Sequence, residues 1–158
     1  MINDKERTKL ILRTIFTGLI GGILFFIGFV LSYYFNFVDQ NITKLIPMQK
    51  LTKLIPVTFL RILFQLSLTS IFSIIISLIY YTLLKRFTNI WFSVLFGLIL
   101  FIMFFSLAIL INKEIEITSF SIATYITIGS LFTLYGTFIG YSISFDYLET
   151  KRNTVTSS

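Results

Sequence analysis

The chain has no cysteine and no histidine. Disulfides, thiol nucleophiles and thiolate metal ligands are excluded, together with the side chain that most often moves protons near neutral pH. Proline occurs only at Pro47 and Pro56, both in one stretch between apolar runs. The Gly/Pro-broken helices that mark many transporter sites are therefore not indicated. Charge is also scarce. Asp, Glu, Lys and Arg make up 13% of the 158 residues, against about 25% in an average soluble domain. None of the charged residues lies near the middle of an apolar run, where ion- and proton-moving proteins normally place them. P-loop, H-E-x-x-H and G-x-S-x-G patterns are absent.

What remains is apolar. Hydrophobic residues make up 56% of the chain and the mean hydropathy is +0.90. There is too little polar side chain to cover a globule of this volume, so apolar surface must face lipid. Four runs reach the roughly 18 residues needed to cross a bilayer. The expected fold is an all-α membrane protein, with four transmembrane helices in an up-down bundle over residues 10–147. The spans are set at about 10–34, 57–81, 90–111 and 119–141, with a cytoplasmic tail over 1–9 and a disordered one over 148–158. The first run is too long for a signal-peptide core and has no A-x-A site, so it reads as a retained span.

The loop over 35–56 carries a T-K-L-I-P repeat at 43–47 and 52–56, with Lys44, Lys50 and Lys53 among leucines and isoleucines. This pattern suits a short interfacial helix lying on the membrane surface, its lysines toward headgroups. The formal charge of +6 sits in loops and at span ends, which points to anionic lipid and not to nucleic acid. Eight Lys and Arg residues fall on the side of the termini and five on the other. By the positive-inside bias, both termini are expected in the cytoplasm of a multi-pass cell-membrane protein.

In lipid, helices associate through small residues and close contact. Gly129, Thr133, Gly136 and Gly140 fall on one narrow stripe of the fourth span at 100° per residue. Gly18 and Gly22 form a G-x-x-x-G pair in the first span, flanked by Gly21 and Gly28. Ser70, Ser73 and Ser77 share a face of the second. These positions are the predicted packing residues, and they lead to the expectation that spans one, two and four approach closely. The Phe-rich third span, with Ser93 and Gly97 as its small pair, is expected to be the most lipid-exposed.

One polar constellation stands out. Tyr141, Ser142, Ser144, Asp146 and Tyr147 close the fourth span, and Lys85 and Arg86 close the second on the same side. An ion pair from Asp146 to Lys85 or Arg86 would lock the two helices. Tyr80, Tyr81 and Trp91 around the basic pair read as an aromatic belt at headgroup level.

The runs YYTLLKRFTNIW at 80–91 and LYGTFIGYSISFDY at 134–147, with TGLIGG at 17–22, resemble the YqhR family of small bacterial membrane proteins. The resemblance covers about residues 10–148. It implies a four-span protein of the bacterial plasma membrane, and carries over no catalytic, cofactor or metal residues. The function expected from these observations is non-enzymatic and needs no cofactor. It would work through membrane lipids, another membrane protein or self-association. The alternative is a small transporter or channel for an uncharged or lipid-like solute, with Ser70, Ser73, Ser77, Thr133 and Thr137 lining a route. A membrane enzyme built on Asp146 and nearby tyrosines has the least behind it.

Overall fold

The apolar runs form four long helices. In the computed structural model, which describes residues 4–39, 58–87, 89–111 and 120–156, they are α1 (Asp4–Tyr34), α2 (Thr58–Leu83), α3 (Ile90–Ile111) and α4 (Ile122–Thr156). Even the shortest, α3 with 22 residues, reaches about 33 Å at 1.5 Å per residue, enough for a ~30 Å hydrocarbon core. All four are apolar enough to span. No strand occurs among the described residues. The T-K-L-I-P repeat and the turn over 112–118 lie outside them.

Two helices run past the predicted spans. α1 starts at Asp4, where Asp4 and Glu6 place carboxylates in the first turn, favourable to the helix dipole. Glu6 also pairs with Lys9 at 2.9 Å. α4 continues through 148–156, where a disordered tail is expected from the drop in hydropathy. That drop ends a span without ending a helix: Leu148, Glu149, Lys151 and Arg152 are all good helix formers. Thr150 is buried and its hydroxyl donates to the Asp146 carbonyl at 2.9 Å.

The helices pack as α1 on α2, α3 on α4, and α1 on α4, with a slighter contact between α2 and α4. Glycines set the first three contacts. On α1, Gly18 and Gly22 lie about 40° apart around the axis, and Gly21 and Gly28 occupy the adjoining sector. A Cβ at Gly18 would come within 2.8 Å of the Ile74 Cα, and one at Gly22 within 2.8 Å of the Ser70 Cα. This sector therefore meets α2 backbone to backbone. Cβ atoms at Gly21 and Gly28 would instead press on Ile139 and Leu131 of α4.

The stripe on α4 meets a partner that the sequence reading did not assign to it. Gly136 lies directly on Gly97 of α3, and Gly97 in turn lies against Phe132 and Thr133. Gly140 opens space for Ser93 and for the hydroxyl of Tyr80. The third helix is thus tightly packed, and α2 is the least buried of the four. The physical reason is that Ser93 and Gly97, four residues apart, present a bare strip of backbone. The phenylalanines that suggested lipid exposure lie partly inward: Phe96 and Phe105 are buried, and Phe101 and Phe104 pack against the core around Phe132. Phe25 of α1 meets the Phe132 ring at 4.9 Å in a tilted contact and the Tyr135 ring edge-on at 5.4 Å. The outer faces carry Phe16, Ile71, Ile102 and Leu110, all exposed, as a lipid-facing surface requires.

At the loop side, the end of α1 and the start of α4 are closed by side-chain and turn chemistry. Asn36 takes a left-handed φ of 61°. The Asn36 N–H donates to the Tyr33 carbonyl and the Phe37 N–H to the Ser32 carbonyl, a Schellman ending with Asn in the usual glycine position. Three residues on, Asp39 reaches the start of α4. Its carboxylate accepts from the Ser121 N–H at 2.7 Å and from the Thr124 hydroxyl at 2.9 Å. Ser121 itself caps the helix by accepting from the Thr124 N–H.

A candidate site at the terminal end of the bundle

The end carrying the start of α1 and the close of α4 holds most of the described charged side chains. Its inner wall is a buried hydroxyl relay. Tyr80 is fully buried, and its hydroxyl lies 3.3 Å from both Ser93 and Ser144. Ser144 donates to the Phe87 carbonyl at 3.1 Å. One direction of donation, from Ser93 to Tyr80 to Ser144 to Phe87, satisfies every group and ties α2, α3 and α4 together. Tyr80 and Tyr81 are both buried, so they are bundle residues and not belt residues; Trp91 is exposed.

Asp146 does not pair with Lys85 or Arg86. Its carboxylate lies 3.4 Å from the Arg13 guanidinium of α1, which also lies 3.7 Å from Glu149. The expected α2–α4 lock is an α1–α4 clasp. Arg13 is one turn inside its helix and has the reach to snorkel. The rotation of α4 that puts Gly136 on Gly97 turns Asp146 and Glu149, one turn apart, toward it. Lys85 instead places its ammonium 4.1 Å over the Tyr81 ring and 5.5 Å from that of Tyr147. Of the predicted constellation, Lys85 and Tyr147 are brought together, and Ser144 joins the relay. Tyr141 is exposed and stacks on Phe145. Ser142 is half-buried and Arg86 exposed.

Beside Lys85 a recess of about 440 Å³ opens between the first turns of α1 and the end of α2. Asp4, Arg7, Thr8, Ile11, Tyr81, Thr82 and Lys85 line it. Sequence reasoning assigned only Lys85 among these. The available signal was the spacing of Asp4, Thr8 and Ile11, with Arg7 beside them, on one side of α1, together with Tyr81, Thr82 and Lys85 at i, i+1 and i+4 across the close of α2 and the turn after it. Among the described residues no group of three or more acidic side chains is arranged to hold a metal ion.

The predicted packing hydroxyls lie elsewhere and are bonded within the bundle. Ser73 donates to the Gly18 carbonyl and lies 2.7 Å from the Tyr135 hydroxyl. Ser77 donates to the carbonyls of Thr14 and Ile74, and Ser70 to that of Leu66. Thr133 and Thr137 donate to carbonyls one turn back on α4. Gly129 meets only the Phe101 ring, at 3.8 Å. At the loop end, the hydrogen bonds from Ser121, and then that from Thr124, hold the Asp39 carboxyl below the usual carboxylate range.

Comparison with known proteins agrees with this architecture. The family model described as conserved membrane protein YqhR matches residues 2–158. The uncharacterised protein YqhR of Bacillus subtilis (strain 168) is 29% identical over 151 residues, covering 94% of this chain and 84% of the relative. No solved structure matches. With four membrane-spanning helices and a family match over nearly its whole length, this multi-pass membrane protein belongs to the YqhR family.

Proposed function

We propose that the protein has no catalytic activity and works by holding membrane lipid, or a neighbouring membrane protein, at the terminal end of its bundle. The observation that carries this reading is a division among its polar groups. Hydroxyls inside the bundle are spent on one another and on helix carbonyls. Arg7, Lys85 and Arg86, at the terminal end, make no ion pair among the described residues. A transport route would need the opposite arrangement, with polar groups left open along the axis. Ser70, Ser73 and Ser77 sit at the α1–α2 contact, while Thr133 and Thr137 bond their own helix, so the five do not line one path. The eight basic residues on this side support its lying at the cytoplasmic face of the plasma membrane on this reading.

The test is photo-crosslinking in cells, from probes introduced at Arg86 and Tyr141 and, as a mid-membrane control, at the exposed Leu24. The proposal expects discrete lipid or protein adducts from the first two sites that the control does not give. Identical adduct patterns from all three would refute it. Because the chain has no cysteine, a single cysteine placed at Lys5 or Lys151 reports orientation. Labelling of intact cells by a membrane-impermeant maleimide at either site would overturn the cytoplasmic placement.

A further inference from the structure

The recess between α1 and α2 has a shape and charge that define its ligand further. This inference rests on the lipid-binding reading and narrows it to one site and one chemistry. Arg7 enters the recess from α1 and Lys85 from the turn just past the end of α2. Neither makes an ion pair among the described residues, whereas Lys9 and Arg13 are both paired. Thr8 and Thr82 add hydroxyls, and Asp4 is the one carboxylate. Arg7 and Lys85 against Asp4 leave a net single positive charge. Thr8 already donates to the Asp4 carbonyl at 3.0 Å, and Thr82 to the carbonyls of Leu78 and Ile79. Both hydroxyl oxygens therefore remain mainly as acceptors, able to receive from a headgroup hydroxyl. The Tyr81 ring holds the Lys85 ammonium from one side. An ammonium has three N–H donors, so this contact leaves others for a ligand oxygen. Arg7 supplies the planar fork that suits phosphate oxygens.

The floor is apolar. Ile11 lines the recess one turn further into the membrane than Arg7 and Thr8, and Ile15 follows it by helical register. The polar end of the recess thus continues directly into lipid-facing helix surface, as an amphiphile requires. We propose that this recess binds the phosphate of an anionic phospholipid. Arg7 and Lys85 contact the phosphate, Thr8 and Thr82 accept from headgroup hydroxyls, and the acyl chains run down past Ile11. A free phosphate shares the anionic chemistry but gains nothing from the apolar continuation.

The experiment uses the full-length protein in nanodiscs of phosphatidylcholine alone or with phosphatidylglycerol. Lipid retained after release into detergent is read by native mass spectrometry. Wild type should keep phosphatidylglycerol selectively. Arg7→Gln/Lys85→Gln should lose about thirtyfold of that retention, since each charge-assisted hydrogen bond to the phosphate at this exposed site contributes about a kcal/mol. The control Lys5→Gln/Lys151→Gln removes the same charge outside the recess and should keep the selectivity. Arg7→Lys/Lys85→Arg should keep most of it, and circular dichroism separates any loss from unfolding. Equal loss in the two Gln pairs, or no loss in either, would overturn the site. Glycerol phosphate added to phosphatidylcholine discs supplies the soluble arm. If it protects against thermal unfolding as well as phosphatidylglycerol does, the lipid assignment is wrong. Adducts from Arg86 and Tyr141 alongside an unselective recess would reject this site alone. Loss of both would reject the broader proposal too.

Discussion

Gly136→Ala tests the central claim about how this bundle is held. A Cβ at Gly136 would stand 2.4 Å from both the Cα and the N of Gly97, and 3.0 Å from the Ser93 carbonyl oxygen. Carbon atoms at rest sit about 3.5–4.0 Å apart, so α3 and α4 must part by roughly 1 Å. The atoms in the way belong to backbone, which cannot rotate aside as a side chain can. Overpacking costs about 1–3 kcal/mol, and a rigid neighbour places this site near the top of that range. Alanine gains about 1 kcal/mol in helix propensity over glycine, leaving a net loss of about 2 kcal/mol. Gly129 supplies the control on the same helix and stripe. Its added Cβ would meet nothing nearer than the Phe101 ring at 3.8 Å, so Gly129→Ala should be neutral or slightly stabilising. Thermal unfolding in a mild detergent reads the difference. At about 2–4 °C per kcal/mol for a chain of this size, Gly136→Ala should melt about 4–8 °C below wild type, with Gly129→Ala at or above it. Gly136→Leu should fail more severely. A Gly136→Ala protein as stable as Gly129→Ala would refute the backbone contact between α3 and α4.

Three further outcomes follow from the polar contacts. Ser73→Ala removes the nearer partner of the buried Tyr135 hydroxyl, leaving it the Ser73 carbonyl at 3.5 Å, and should cost about 1–2 kcal/mol; in a double-mutant cycle with Tyr135→Phe, additive losses would show that the two side chains do not interact. Arg13→Gln should cost no more than about 1 kcal/mol, because the guanidinium is 55% exposed and solvent-screened; a loss as large as that of Gly136→Ala would contradict the exposure. The Asp39 carboxyl titrates below its unfolded value of about 3.8, so its contribution is complete above that pH and disappears as pH falls through the folded value. Protection of the Ser121 amide, taken relative to its intrinsic exchange rate at each pH, should therefore fall selectively under strong acid, and Asp39→Asn should show the lower protection already at neutral pH, an outcome that fails if the two proteins are protected alike.

The number and rough length of the helices were legible because a bilayer imposes a length and a hydropathy, and both are properties of single segments. Partner choice was not, because it depends on rotation between segments. The spacing of Gly129, Thr133, Gly136 and Gly140 shows that they share a face, but not which helix that face meets. Ser93 and Gly97 carried the missing half of the signal, masked by the phenylalanines around them. Asp146 illustrates the same limit. Arg13, Lys85 and Arg86 all end near its level in the membrane, and composition cannot rank them. Once Gly136 sits on Gly97, the turn of α4 sends Asp146 to Arg13 and leaves Lys85 with the rings of Tyr81 and Tyr147.

That rotation also connects packing to function. The contact that brings α3 onto α4 carries Gly140 against Ser93 and Tyr80, and so completes the relay that buries the end of α2. With Tyr80 drawn inward, Tyr81 and Thr82 are turned toward the first turns of α1, where they form one wall of the recess. Lys85 follows one turn later and is held there by the Tyr81 ring. The clasp of Arg13 to Asp146 and Glu149 occupies the neighbouring cation, which leaves Arg7 on the open side, opposite Lys85. A close glycine contact on one side of the bundle thus bears on which positive charges are paired within the protein and which are left without an ion pair at its terminal end. If the proposed lipid site is correct, loosening α3 from α4 at Gly136 should weaken phosphatidylglycerol retention even though no recess residue has changed. Retention unaltered in a correctly folded Gly136→Ala protein would show that the recess forms independently of that packing.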